Sequence, residues 1–112
     1  MRVLIVDDDV SIVVALQTLL ERDGHEVIAC TNPLNAARED AAFDAVISDF
    51  NMPSLDGVQL LERLRETHPR ARRFLMTAYD RNDAITRAER SGLVEQVFAK
   101  PWRIETIRAA LR

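Results

Sequence analysis

The sequence predicts an α/β protein, a doubly wound (βα)5 sandwich of three layers with a five-stranded parallel sheet between two layers of helices. Three observations lead to that class. Short apolar runs and segments of helical period alternate along the whole chain, as expected of βα units whose helices cover both faces of a sheet. At 112 residues the chain is long enough for one hydrophobic core and too short for two. The polar residues that stand out fall where the apolar runs end, and a parallel sheet gathers all such ends on one edge.

The first strand, residues 2–7, is the apolar run of RVLIVD, rich in β-branched residues. It leads into a helix at 10–22 in which Ile12, Leu16, Leu19 and Leu20 recur at three- and four-residue spacing. Asp9 or Ser11 can cap its start, and Gly24 sits where a left-handed cap would end it. A second strand at 26–31 and helix at 33–40 precede a third strand at 44–49 (DAVISD). The third helix, 57–67, follows Asp56-Gly57, carries Val58, Leu60, Leu61 and Leu64 on one stripe and stops before Pro69. Strands at 72–77 and 94–99 and helices at 82–91 and 103–111 complete the alternation, with Gly92 ending the fourth helix. All three glycines are thereby read as turn or cap residues. None is left for a glycine-rich phosphate loop, which argues against nucleotide binding.

Composition narrows the class of function. Hydrophobic residues make up 47% and charged residues 29%, as in ordinary globular proteins. No apolar run approaches the ~20 residues of a membrane span, and MRVLIVDDD lacks the apolar core of a signal peptide. A cytoplasmic location without a membrane partner is the expectation. Cys30 has no second cysteine to pair with and reads as a small core residue. The net charge of −3 and pI near 5.3 argue against direct nucleic-acid binding. Arg70, Arg72 and Arg73 read as a solvated loop leading into the fourth strand. His25 and His68 lie in loops, beside Gly24 and Pro69, and neither reads as a phosphohistidine donor. The chain is expected to be one domain over residues 1–112, with no effector domain.

The residues at the strand ends suggest chemistry. Asp7, Asp8 and Asp9 place three like charges where a buried segment meets solvent, and crowded carboxylates repel, so something cationic belongs there. Asp49 ends the third strand, Thr77 the fourth and Lys100 the fifth, and ligands of open parallel sheets bind beyond these carboxyl ends. Singly, each has a plain structural explanation as a turn former, helix cap, strand residue or solvated lysine. Together they form a set that carboxylate-loving Mg2+ would suit. Lys100 and the Thr77 hydroxyl could then stabilise a phosphoryl group, with one of the carboxylates as nucleophile.

These residues match a family pattern. With Asp7-Asp8 after VLIV, SDFNMPSLDG around Asp49, MTA around Thr77 and the Lys100-Pro101 pair in order, the chain resembles the receiver domain of bacterial two-component response regulators over essentially its whole length. The resemblance implies a flavodoxin-like fold with strand order 2-1-3-4-5. It implies Asp49 as phosphoacceptor, and Asp7, Asp8, Asp49 and the backbone carbonyl of Asn51 as Mg2+ ligands. Thr77 resembles the switch hydroxyl and Lys100 the lysine that pairs with the phosphoryl group, preceding a cis peptide to Pro101. Asp9 resembles a flanking residue or cap. The phosphoryl donor would be a sensor histidine kinase or a histidine phosphotransfer protein. Output would run through the face of helix 4, strand 5 and helix 5 to an effector, with Tyr79 and Trp102 nearby. The sequence departs from the pattern at Val97, where the family usually has an aromatic switch residue. Phe98, one step along the strand, should face the opposite core.

Two other readings compete. In a haloacid-dehalogenase-type hydrolase Asp7 would be the nucleophile, but such enzymes need an acidic pair after the lysine, and beyond Lys100 stands only Glu105. A receiver-like docking module independent of phosphorylation is favoured by Val97 and disfavoured by the complete acidic, hydroxyl and lysine set.

Overall fold

A continuous apolar stretch in a parallel sheet must bury both its faces, and β1 (Arg2–Val6) does so, with Val3 through Val6 fully buried. The computed structural model describes residues 1–78 and 82–112, so the reading made of Tyr79 lies outside the described residues. After β1 the chain runs through α1 (Val10–Arg22), β2 (Glu26–Cys30), α2 (Pro33–Ala36), β3 (Ala45–Asp49), α3 (Gly57–Thr67), β4 (Arg72–Thr77), α4 (Asp83–Arg90), β5 (Gln96–Ala99) and α5 (Ile104–Leu111). The strands form one parallel sheet of order β2-β1-β3-β4-β5. No described helix is long and apolar enough to cross a membrane.

Because side chains alternate across a strand, the sheet separates two cores. Val3, Ile5, Ala45, Ile47, Phe74, Met76 and Phe98 face α1 and α5, meeting Val13, Leu16, Leu20, Ile107 and Leu111. Leu4, Val6, Val46 and Leu75 face the other way, toward Ala36 of α2, Leu60, Leu61 and Leu64 of α3, and Ile85 and Ala88 of α4. Phe98 stacks on Phe74 with ring centroids 5.5 Å apart, while its neighbour Val97 packs against the opposite core. The expected one-residue inversion is borne out.

Capping follows the sequence. The Asp9 carboxylate accepts hydrogen bonds from both the backbone N–H and the hydroxyl of Ser11, and Asp56 and Gln59 form a reciprocal capping box at α3. Gly24 and Gly92 follow the caps of α1 and α4 with φ of +87° and +80°, conformations that suit glycine.

Three readings are corrected. The second helix ends at Ala36 rather than near residue 40; after that point the chain is a loop in which Glu39 bonds the N–H of Ala41. Arg72 and Arg73 are not in a solvated loop but open β4. The Arg72 guanidinium pairs with Glu95, donates 2.5 Å to the Ala110 carbonyl and lies 5.3 Å from the Phe74 ring centroid, while Arg73 donates 2.7 Å to the Leu93 carbonyl. Gly57 is neither a turn nor a cap residue: it is the first residue of α3, packed against the β3 backbone.

Candidate functional site

The strand order decides which ends meet. Val6 pairs with Ser48, so the next residues, Asp7 and Asp49, are neighbours on the carboxyl edge. That edge is where the chain's strand order reverses, since β1 connects outward to β2 and the chain then crosses back to β3; such switch points form crevices in open sheets.

Asp7 is fully buried and Asp49 is 6% exposed, while Asp8 faces solvent. Carboxylate oxygens of the three lie within 4.8 Å of one another. From β5, Lys100 reaches across the edge. Its Nζ donates 2.6 Å to Asp7 Oδ2 and lies 3.1 Å from Asp49 Oδ1. The other Asp7 oxygen accepts the Asp9 N–H at 2.9 Å, which fixes the carboxylate at both ends. The Lys100–Pro101 peptide is cis, as the resemblance implied.

Electrostatics follow from this crowding. Burial pushes the Asp49 carboxyl above the ordinary aspartate range; the Lys100 ammonium opposes the shift, and the negative charges of Asp7 and Asp8 add to it. For Lys100, burial favours the neutral amine, but hydrogen bonds to Asp7 and Asp49 outweigh it and the net shift is upward. The ammonium therefore stays charged between two carboxylates.

Thr77 ends β4, buried at 6% exposure, and its carbonyl accepts the Lys100 N–H at 2.8 Å. Strand register thus ties the hydroxyl-bearing residue to the lysine. Asn51 is exposed in the loop after β3, and Pro101 is exposed beside Lys100. Val97 is partly buried, one residue out of phase with the Phe98 core. Trp102 is half-buried and packs against the α1/α5 core.

The loop from β3 to α3 turns sharply. Leu55 N–H donates 2.8 Å to the Pro53 carbonyl around Ser54, whose φ of 71° is positive, the geometry of a strained γ-turn. Leu55 is thereby buried at 4% exposure, and Asp56 reaches its capping position.

Two residues beside the site escaped the sequence reading. The buried Ser48 hydroxyl donates 2.9 Å to the Asp49 carbonyl, and Gly57 lies against that same carbonyl. A signal for the glycine existed: glycine is a poor helix former, so its place just inside the cap Asp56 asks for a packing reason.

The donor set fits a hard divalent cation. Three carboxylates, one of them open to solvent, match an ion that takes one or two carboxylates and keeps several waters.

A family model described as the response regulator receiver domain matches residues 3–112. The chain is 31% identical over 115 residues to sporulation initiation phosphotransferase F of Bacillus subtilis, covering 99% of this chain and 90% of that protein. It is 41% identical over 105 residues to the response regulator protein FleR of Pseudomonas aeruginosa, covering 90% of this chain but 22% of that one. The chain thus spans most of the first relative and under a quarter of the second. Among solved structures, the signal receiver domain of an HD domain-containing protein from Pseudomonas fluorescens Pf-5 superposes with a TM-score of 0.91 at 28% identity, covering 99% of this chain and 90% of that one. Chemotaxis protein CheY4 of Vibrio cholerae gives 0.87 at 25% identity, covering 98% and 94%. Neither competing reading, hydrolase or phosphate-independent docking module, draws support from these matches.

Proposed function

This chain belongs to the receiver domain family of response regulators, and from that premise we propose that it accepts a phosphoryl group on Asp49 from the phosphohistidine of a sensor kinase or phosphotransfer protein. The observation that carries the reading is the Lys100 ammonium held between Asp7 and Asp49, at 2.6 and 3.1 Å, beside an exposed Asp8.

In the transfer, an Asp49 carboxylate oxygen forms the new O–P bond as the donor's P–N bond breaks, and the imidazole leaves with the bonding electrons. Phosphoryl transfer needs positioning and charge stabilisation more than covalent help. Lys100 provides a fixed positive charge next to the nucleophile, and its double attachment orients it before the donor arrives. Thr77 supplies the hydroxyl for the phosphoryl oxygens, carried by the strand neighbouring that of Lys100. Asp7, Asp8, Asp49 and the Asn51 carbonyl would hold Mg2+, which when bound offsets the charge of phosphoryl and carboxylate oxygens.

The name of the Bacillus relative, a phosphotransferase, supports a place in a phosphorelay. The chain would act as a cytoplasmic phosphoacceptor, with self-phosphorylation and autodephosphorylation as its only chemistry. Added charge on Asp49 would bias the face of α4, β5 and α5 toward an effector, in a longer regulator or in a separate protein.

Incubation with Mg2+ and acetyl phosphate followed by intact mass measurement tests the reading. One added phosphate is expected, and none in Asp49→Asn. An adduct mapping to Asp7 would point to the hydrolase; no adduct even with a cognate kinase would leave the docking module.

A further inference from the structure

We propose that Gly57 is a positioning residue for Asp49: α3 starts with a glycine so that the helix can rest directly on the carbonyl of the phosphoacceptor. The inference rests on Asp49 being that acceptor. Conformation does not explain Gly57, because its φ, unlike those of Gly24 and Gly92, lies outside the left-handed region. Helix propensity does not explain it either, since glycine is among the poorest residues inside a helix. Space does. A β-carbon at residue 57 would lie 2.4 Å from the Asp49 carbonyl oxygen, 2.6 Å from Leu75 Cδ2 and 2.9 Å from Phe50 Cα, whereas at Gly24 and Gly92 it would meet nothing within 4 Å.

Two of those three atoms belong to the backbone that carries the acceptor, and that backbone cannot step aside. The Ser48 hydroxyl donates 2.9 Å to the Asp49 carbonyl, Phe50 N–H donates 2.8 Å to the Met76 carbonyl, and Gly57 N–H donates 2.8 Å to the Phe50 carbonyl. Asp49 is therefore clamped between β4 and the start of α3. A methyl at residue 57 must displace either the helix or the acceptor, and an acceptor shift alters the 3.1 Å approach to Lys100. Misplacing a reacting group by about 1 Å can cost on the order of a hundredfold in rate.

The test compares Gly57→Ala with Gly92→Ala, which strains the fold at a positive φ far from the acidic cluster. Adduct formation is followed by intact mass at saturating Mg2+ over a range of acetyl phosphate concentrations, together with the amide resonances of Asp49 and Phe50. Gly57→Ala should lower the maximal rate about tenfold or more, leave the half-saturating donor concentration within about twofold, and move both resonances. Gly92→Ala should keep the wild-type rate. A Gly57→Ala rate within about twofold of wild type, or an equal loss in Gly92→Ala, overturns the proposal. Should Gly57→Ala fail to fold, Ser48→Ala decides: a fall of about threefold with an unchanged urea midpoint supports the clamp, and an unchanged rate overturns it. If the wild-type chain itself takes no phosphate, the reading of Asp49 as acceptor fails; unmoved resonances in Gly57→Ala then overturn the packing claim as well, and displaced ones uphold it.

Discussion

At the scale of single residues, the site works against the fold's own stability. Among the described residues, Asp7, Asp8 and Asp49 cluster at the edge with the Lys100 ammonium, and burial lifts the Asp49 carboxyl above the ordinary aspartate range while Lys100 only partly offsets it. A carboxyl whose proton affinity is higher folded than unfolded adds stability that is complete below its unfolded value and is lost as pH rises through its folded value. At neutral pH, without divalent ions, the ionised Asp49 is therefore a net liability. Asp49→Asn, which cannot ionise, should unfold at higher urea than wild type near pH 7, and the gap should narrow as the pH falls toward the ordinary aspartate range. Urea midpoints measured in chelator-treated buffer across that range check it; a variant less stable than wild type at pH 7 would contradict it. Much at this scale was legible. The crowding of Asp7, Asp8 and Asp9 announced a need for positive charge, and Lys100 supplies part of it. What could not be read was the partner: Lys100 bonds Asp7 more closely than Asp49, a preference fixed by distances across strands that adjacent letters do not encode.

At the scale of elements, period was the reliable guide and packing the hidden one. Helix stripes and strand runs placed nine of the ten elements within two residues of their ends; α2 alone stopped well short, at Ala36 rather than near 40. After Ala37 the chain places Arg38, Glu39 and Asp40 in succession, and a helix with no apolar stripe to bury there gains little from continuing. Nor could composition show that Arg72 and Arg73 bond the carbonyls of Ala110 and Leu93, since those partners are remote in the chain. For β5 the two-residue period was sufficient, and it separates Phe98 from Val97. Phe98, 2% exposed and stacked on Phe74, should cost about 3–5 kcal/mol when cut to alanine. The half-buried Val97 should cost about 1 kcal/mol. Equilibrium unfolding of both variants checks the difference; equal losses would mean that β5 sits in another register.

At the scale of the molecule, the site belongs to no single segment. Asp7 and Asp8 follow β1, Asp49 ends β3, Thr77 ends β4, and Lys100 follows β5. They converge because the strands are parallel and the order β2-β1-β3-β4-β5 makes β1 and β3 neighbours. Parallel alternation was legible from sequence, whereas strand order was supplied by resemblance, because several orders satisfy the same hydrophobic pattern. A cation bound by folded-state convergence binds the unfolded chain far less well, so it must stabilise the fold, by about 2.7 kcal/mol at a hundredfold excess over its Kd. For a domain of this size that is a rise of roughly 10 °C in thermal midpoint. Asp8 allows the effect to be isolated. It is exposed and its carboxylate belongs to the cluster, so Asp8→Asn should change metal-free stability by no more than about 0.5 kcal/mol. The same substitution should remove most of the Mg2+-induced rise. Thermal melts of wild type and Asp8→Asn, each with chelator and with excess Mg2+, read both numbers at once. A midpoint that ignores Mg2+, or that climbs equally in the two proteins, would mean that the three carboxylates do not act together on a cation.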